Sequence, residues 1–283
     1  MSSTDKIKPV VAGVRDAIAE AAGSVSRYQH LKDENKRLRK QLRRLGAPAP
    51  APSTHKPVPT GMPKTPRRLA KPLEGDEAAI VDTFHVLYKD IHKIEKATYW
   101  FGTRAYKLPS DLWIYQELLH ELKPDLVIET GTLHGGSALF LAHMMDLIGN
   151  GEIVTIDVSA GVHPRPQHPR ITYIQGSSSA PEIVAGVAER AASAETVMAL
   201  LDSDHSKTHV LDEMRAYGPL ITRGSYMVVE DTNINGHPTQ PTFGPGPFEA
   251  VEEYLEENSD FEIDRAREKF LVTFNPSGYL RRK

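Results

Sequence analysis

The chain has 283 residues, a 40% hydrophobic share, no cysteine and a formal net charge of −3. That is enough apolar matter for a buried core, while disulfides and cysteine-ligated zinc are excluded. No apolar run approaches the ~20 residues of a membrane-spanning helix. The first twenty residues lack the apolar stretch and cleavage site of a secretory signal, so the cytoplasm is the expected location.

The small net charge conceals an asymmetry. Residues 1 to 75 hold 16 Lys and Arg against 6 Asp and Glu, and the remainder holds 18 against 31. A basic arm precedes an acidic body, which argues against a nucleic-acid substrate on that body.

In chain order, residues 1–45 read as a basic N-terminal helical segment. Leu31, Leu38 and Leu45 are seven apart, with Asn35 and Leu42 at the alternate seam positions. That spacing predicts a short coiled coil with one polar seam residue, and hence a homo-oligomer. The flanking Lys36, Arg37, Arg39, Lys40, Arg43 and Arg44 are the competing signal, for an anionic membrane surface or RNA. Residues 46–74 form a linker, with eight prolines between 46 and 72. Such a segment keeps neither a helix nor a sheet ladder.

From residue 75 to 283 the pattern is α/β. Helical periodicity covers about 76–95 and 110–122. Short runs rich in β-branched residues then alternate with helical stretches. The expected strands are 126–129, 153–157, 171–174, 197–201, 226–230, 261–263 and 270–274. This alternation predicts a mostly parallel sheet with helices on both faces. Ligands of such sheets bind beyond the carboxyl ends of the strands.

The first of these strands runs into Glu129-Thr-Gly-Thr-Leu-His-Gly-Gly-Ser137. Gly131 and Gly135 allow the backbone to approach a ligand, and Gly136 opens a helix. The spacing is not that of the dinucleotide fingerprint. Glu129 would repel a pyrophosphate and suits a cationic amino group, such as that of S-adenosylmethionine (SAM). Asp157 ends the second strand, where a carboxylate accepts from both ribose hydroxyls. Small hydroxyl residues, among them Ser178 and Ser179, follow the third.

The fourth strand ends in Asp202-Ser-Asp-His205 and the fifth in Glu230-Asp231. Asp202, Glu230 and Asp231 offer three oxygen ligands to a hard divalent cation such as Mg²⁺. Acidic N-caps are the plainer use of such residues, and they explain Asp204 or Asp231 singly but not both strands. His205, three residues after Asp202, is placed as a general base, with metal ligand or helix-start residue as alternatives. The loop from Asn233 to Pro247 is rich in glycine and proline and reads as a lid or acceptor loop. Trp100, Phe101, Arg104 and Tyr106 are candidates for a further wall, or for core packing.

In combination, the run from Trp100 to Gln116, the Glu-Thr-Gly-Thr loop, Leu-Asp-Ser-Asp-His, Val-Glu-Asp-Thr and Gly-Pro-Gly-Pro resemble the cephalosporin hydroxylase / rhamnosyl O-methyltransferase family over residues 80 to 280. The resemblance implies a Rossmann-like class I methyltransferase fold, with a seven-stranded sheet whose last strand is antiparallel. It implies SAM and Mg²⁺, or another divalent cation, as cofactors. Glu129, Gly131 and Ser137 then fall in the methionine loop, Asp157 at the ribose, and Ser178 and Ser179 near adenine. Asp202, Glu230 and Asp231 fall at the metal positions and His205 at the base. The activity implied is transfer of a methyl group to a hydroxyl of a sugar or glycosylated natural product. A metal-dependent hydroxylase and a non-catalytic ligand-binding scaffold are the alternatives. The N-terminal coiled coil and proline linker lie outside the family pattern.

Overall fold

The computed structural model describes residues 73–161 and 164–283. The coiled coil expected within 1–45 and nearly all of the proline linker lie outside them. Helix α1 (Gly75–Val86) runs into a π-helical turn, Leu87–Ile91, and a 3₁₀ turn, Ile94–Ala97. A two-stranded ribbon follows, β1 (Tyr99–Trp100) with β2 (Thr103–Arg104). Then come α2 (Pro109–Leu122), β3 (Leu126–Thr130), α3 (Gly136–Ile148), β4 (Glu152–Asp157), β5 (Ile171–Gln175), α4 (Pro181–Ala191), β6 (Val197–Leu201), α5 (Lys207–Tyr217), β7 (Tyr226–Val229), α6 (Pro247–Glu257), β8 (Phe261–Ile263) and β9 (Tyr279–Arg282). No helix among the described residues is long and apolar enough to cross a membrane.

The seven strands β3 to β9 pair in the order β5-β4-β3-β6-β7-β9-β8. All pairings from β5 to β7 are parallel, and β9 runs antiparallel to both β7 and β8. The expected mostly parallel sheet with an antiparallel last strand is therefore present. Strand β3 is buried at all five positions, as a central strand covered on both faces must be.

Strand periodicity sorts the core into two layers. Ile128, Val154, Ala199 and Met227 face α4, α5 and α6, where they meet Val187, Met214 and Tyr254. Val127, Ile153, Met198 and Val228 face the other way, onto Leu118 and Leu119 of α2 and Leu141 and Met145 of α3. Chain order reverses between β3 and β6, so their carboxyl ends diverge into a crevice.

One expected strand is corrected. Residues 270–274 are not a strand, and the seventh strand is β9. The segment satisfies its backbone on a side chain instead of a ladder. Asp111 of α2, 2% exposed, accepts from Thr273 Oγ1 at 2.6 Å, Phe274 N at 2.9 Å and the Tyr279 hydroxyl at 2.9 Å. The true strand escapes a hydropathy reading because half of Tyr-Leu-Arg-Arg is charged. Tyr279 and Leu280 nonetheless are fully buried.

Asp111→Ala strands one buried N–H and two buried hydroxyls. We expect a loss of about 3 kcal/mol in unfolding free energy, read from urea denaturation.

Candidate functional site

The loop after β3 packs without clearance on the end of β6. A Cβ built on Gly131, at φ +87°, would lie 1.8 Å from the Asp202 carbonyl oxygen. One on Gly136 would lie 2.3 Å from the Arg104 carbonyl. Beneath the loop Glu129 is 2% exposed and accepts from Thr155 Oγ1 at 2.5 Å and from Ser137. Burial pushes its carboxyl above the ordinary range. Glu129 and Ser137 thus support the loop from below, and neither lines the cavity above it.

Asp157, at the tip of β4, does line it. It accepts from Leu133 N at 2.7 Å and Ser159 N at 2.8 Å, and pairs with Arg165 at 3.2 Å. Ser178 lines it too. Its hydroxyl donates to the buried Glu213 and sits 3.1 Å from His209 Nε2. Ser179 is apart from the cavity, with its hydroxyl 3.2 Å from that of Ser177.

The opposite end is built from charge. Lys107, 3% exposed, pairs with Asp202 and, at 2.7 Å, with Glu230. Burial alone would lower its pKa, but the two carboxylates outweigh that and raise it. Lys89, delivered by the π-helical turn, pairs with Asp231 and donates to Asn233 Oδ1 at 2.9 Å. Asp231 is half-buried, and desolvation would raise its carboxyl, yet Lys89 and His205 beside it hold it well below the usual range. His205 Nε2 is 3.3 Å from Asp231 Oδ2. Asn233 Nδ2 donates to His85 Nε2 at 3.0 Å.

Three carboxyl groups and an imidazole therefore face two ammonium groups, and burial raises the Glu230 carboxyl well above the ordinary range despite Lys107 beside it. Asp202, His205 and Asp231 each bring one ligating atom within 4.8 Å of the others. Glu230 stands beside this group, with its carboxylate on Lys107. Carboxylate oxygens with one imidazole suit a hard divalent cation. They invert the two-His, one-carboxylate ratio of non-haem iron oxygenases.

Both ends open into one cavity of about 590 Å³, with Tyr106, Phe274 and Glu95 on its walls. That volume lies in the ordinary range for small-molecule sites. Tyr106 is thus a wall residue, while Trp100 packs edge-on to Phe140 and Phe101 is exposed. The loop 233–247 is pinned down. Glu249 accepts from Asn235 Nδ2 at 2.9 Å and Gly246 N at 2.7 Å, and bonds His237 at 3.0 Å. Among residues 235–247 none lines the cavity. Lys89, Lys107, Glu95 and His85 were not singled out from the sequence. No spacing rule marks a lysine that will be buried against carboxylates from distant strands.

The family model described as Rhamnosyl O-methyltransferase/CmcI matches residues 92–283. A rhamnosyl O-methyltransferase of Mycobacterium leprae (strain TN) is 43% identical over 210 residues, which is 72% of this chain and 91% of that protein. One of Mycobacterium bovis (strain BCG / Pasteur 1173P2) is 43% identical over 208 residues, 71% of this chain and 84% of its own. Among solved structures, apo CmcI-N160 superposes with a TM-score of 0.53 at 22% identity, covering 86% of this chain and 94% of that one. CmcI-D160 with Mg and SAM gives 0.51 at 22%, covering 86% and 95%. At that identity the likeness speaks for the fold.

Lys107→Ala leaves Asp202 and Glu230 without their buried counter-charge. We expect a loss of about 3 kcal/mol or more. Added Mg²⁺ should raise the melting temperature of the variant more than that of the unaltered chain, and equal responses would refute the counter-charge role. His85 is held neutral by burial and by Lys89, with a pKa lowered from 6.5 to about 4. Its folded pKa lies below the unfolded one, so its contribution is present above pH 6.5 and drains away as pH falls from 6.5 to 4. His85→Gln should flatten that stretch of the stability–pH curve, followed by urea titration at each pH.

Proposed function

This chain belongs to the Rhamnosyl O-methyltransferase/CmcI family, and from that premise we propose that it transfers the methyl group of SAM to a hydroxyl of a sugar or glycosylated natural product, with a divalent cation, Mg²⁺ foremost, at the acidic end. The reading is carried by one observation. Asp202, His205 and Asp231 converge at one end of a cavity whose other end is walled by the turns after β3, β4 and β5.

At the nucleoside end, Gly131 keeps the β3 turn low enough for a ligand to lie across it. Asp157 would accept from ribose hydroxyls and Ser178 would meet an adenine edge, while Ser179, apart from the cavity, would act only through the turn it shares with Ser177. Glu129 and Ser137 hold the turn on which the methionine part rests. SAM supplies the electrophilic methyl carbon.

At the acidic end, Asp202, Glu230 and Asp231 would hold the cation, with Lys107 and Lys89 yielding part of their hold on the same oxygens. The cation would supply Lewis acidity toward the acceptor oxygen. His205 is the base. Its Nε2 lies 3.3 Å from Asp231 Oδ2, and with the proton on that nitrogen Nδ1 would carry the lone pair that takes the acceptor proton. Asp231 fixes that tautomer and steadies the imidazolium that results. The wall of Tyr106 and Phe274 keeps water from the reacting oxygen. Catalysis on this account comes mostly from alignment and from charge already in place.

The test is transfer of labelled methyl from SAM to rhamnosyl and other glycosyl acceptors, with Mg²⁺ and with EDTA. Turnover should require the metal. His205→Ala should lower kcat by about 10²- to 10⁴-fold. Asp202→Ala should abolish turnover and leave S-adenosylhomocysteine affinity, measured by calorimetry, within a few fold. Cofactor binding with no transfer to any glycoside would sink the acceptor assignment. Unchanged turnover of Asp202→Ala would sink the metal site.

A further inference from the structure

Every carboxylate in the cavity but one has its charge accounted for. Asp157 is held by two backbone amides and Arg165. Asp202 is held by Lys107, and Asp231 by Lys89 and His205. Asp204 accepts from Ser206 N at 2.7 Å. Glu95 is the exception. It is 7% exposed and lines the cavity, and its Oε2 is buried with no hydrogen-bond partner among the described residues.

A buried acceptor left empty is costly, because its water has been removed and nothing has replaced it. The chain nevertheless fixes the residue there. Glu95 sits in the 3₁₀ turn Ile94–Ala97, where Lys93 enters at φ +50°. Its carbonyl accepts from the Thr98 hydroxyl at 2.8 Å and from Thr98 N at 3.3 Å. The turn is anchored at its backbone, the carboxyl also bonds the residue's own backbone amide, and burial raises it above the ordinary range, while the residue lines the cavity wall.

The neighbours indicate what fills it. Lys89 is committed to Asp231 and Asn233, and no cation among the described residues pairs with Oε2. Phe274 offers an apolar wall nearby, its ring stacked on His85 at 5.6 Å and met edge-on by Tyr88 at 6.1 Å. A donor that adds no charge and carries a C–H face fits this pairing of one lone acceptor with aromatic walls. A sugar ring has both.

We propose that Glu95 recognises the acceptor sugar, with Oε2 accepting a hydrogen bond from a ring hydroxyl other than the one that is methylated. The proposal rests on the glycosyl-acceptor reading above and deepens it: substrates carry a free second hydroxyl, and Glu95 reads its presence. Lys89 and Asp231 act on the Glu95 carboxyl electrostatically, but Glu95 is not one of the ligating group Asp202, His205 and Asp231, so its effect should fall on acceptor binding.

The test uses the full chain saturated with S-adenosylhomocysteine and p-nitrophenyl α-L-rhamnopyranoside as probe, followed by calorimetric titration. Glu95→Ala should weaken the probe by about tenfold or more, the loss expected of one hydrogen bond to a charged acceptor. Glu95→Gln, which keeps an acceptor oxygen, should recover part of it. Monodeoxy rhamnosides identify the hydroxyl: for one of them the unaltered chain and Glu95→Ala should bind alike. S-adenosylhomocysteine affinity and melting temperature should stay close to the parent in both variants, which separates recognition from folding. Equal probe affinity in the parent and Glu95→Ala, or no binding by either, overturns the proposal. So does a penalty for each missing hydroxyl that is the same with and without the carboxylate. A probe that binds through Glu95 but is never methylated counts against the transfer reaction and leaves the recognition role standing.

Discussion

The structure depends on the pairing of two buried lysines with three carboxylates at the tips of β6 and β7. Lys107 lies just before α2 and Lys89 in the π-helical turn after α1, so both come from the segment ahead of the sheet. They reach across to Asp202, Glu230 and Asp231. An unpaired carboxylate in such a place would be neutralised or expelled. The pairing holds the Asp231 carboxyl well below the usual range, while burial raises that of Glu230 well above it despite Lys107. The pairing also ties the segment ahead of the sheet to the strand tips. Fold and chemistry thus share the same contacts.

The division of labour follows the topology. Strands β3, β4 and β5 run to one side of the switch point and end in glycine, hydroxyl and a single acid. Strands β6 and β7 run to the other and end in acids. A ligand spanning the crevice therefore meets a hydrogen-bonding half and an ionic half. The loop 233–247 stays outside this division, because Glu249 draws Asn235, His237 and Gly246 onto the first turn of α6.

Much of this was legible in the sequence because period and punctuation agree. Buried parallel strands read as short apolar runs, and the polar residue after each run marks the functional edge. Asp157, Asp202, Glu230 and Asp231 were read on that ground; the first two and Asp231 line the cavity, and Glu230 lies beside it on Lys107. Glu129 was visible as an acid before a glycine, but its depth was not: one residue earlier in a strand is one pleat away, and the side chain points under the turn. Lys89, Lys107 and Glu95 left no trace, since the partners of the two lysines lie about 100 or more positions away and Glu95 Oε2 has none among the described residues. The exchange of residues 270–274 for β9 has the same origin. Asp111, more than 160 residues distant, decides which of two candidate segments pairs with β7.

The contact of Gly131 with the Asp202 carbonyl has a bearing on how such a molecule can be rebuilt. The turn after β3 and the tip of β6 fit as a key fits its wards, with no slack for even a methyl group. Grafting a relative's β3 turn into this scaffold means carrying its β6 terminus along. The two segments, seventy residues apart in the chain, form one unit of exchange in space.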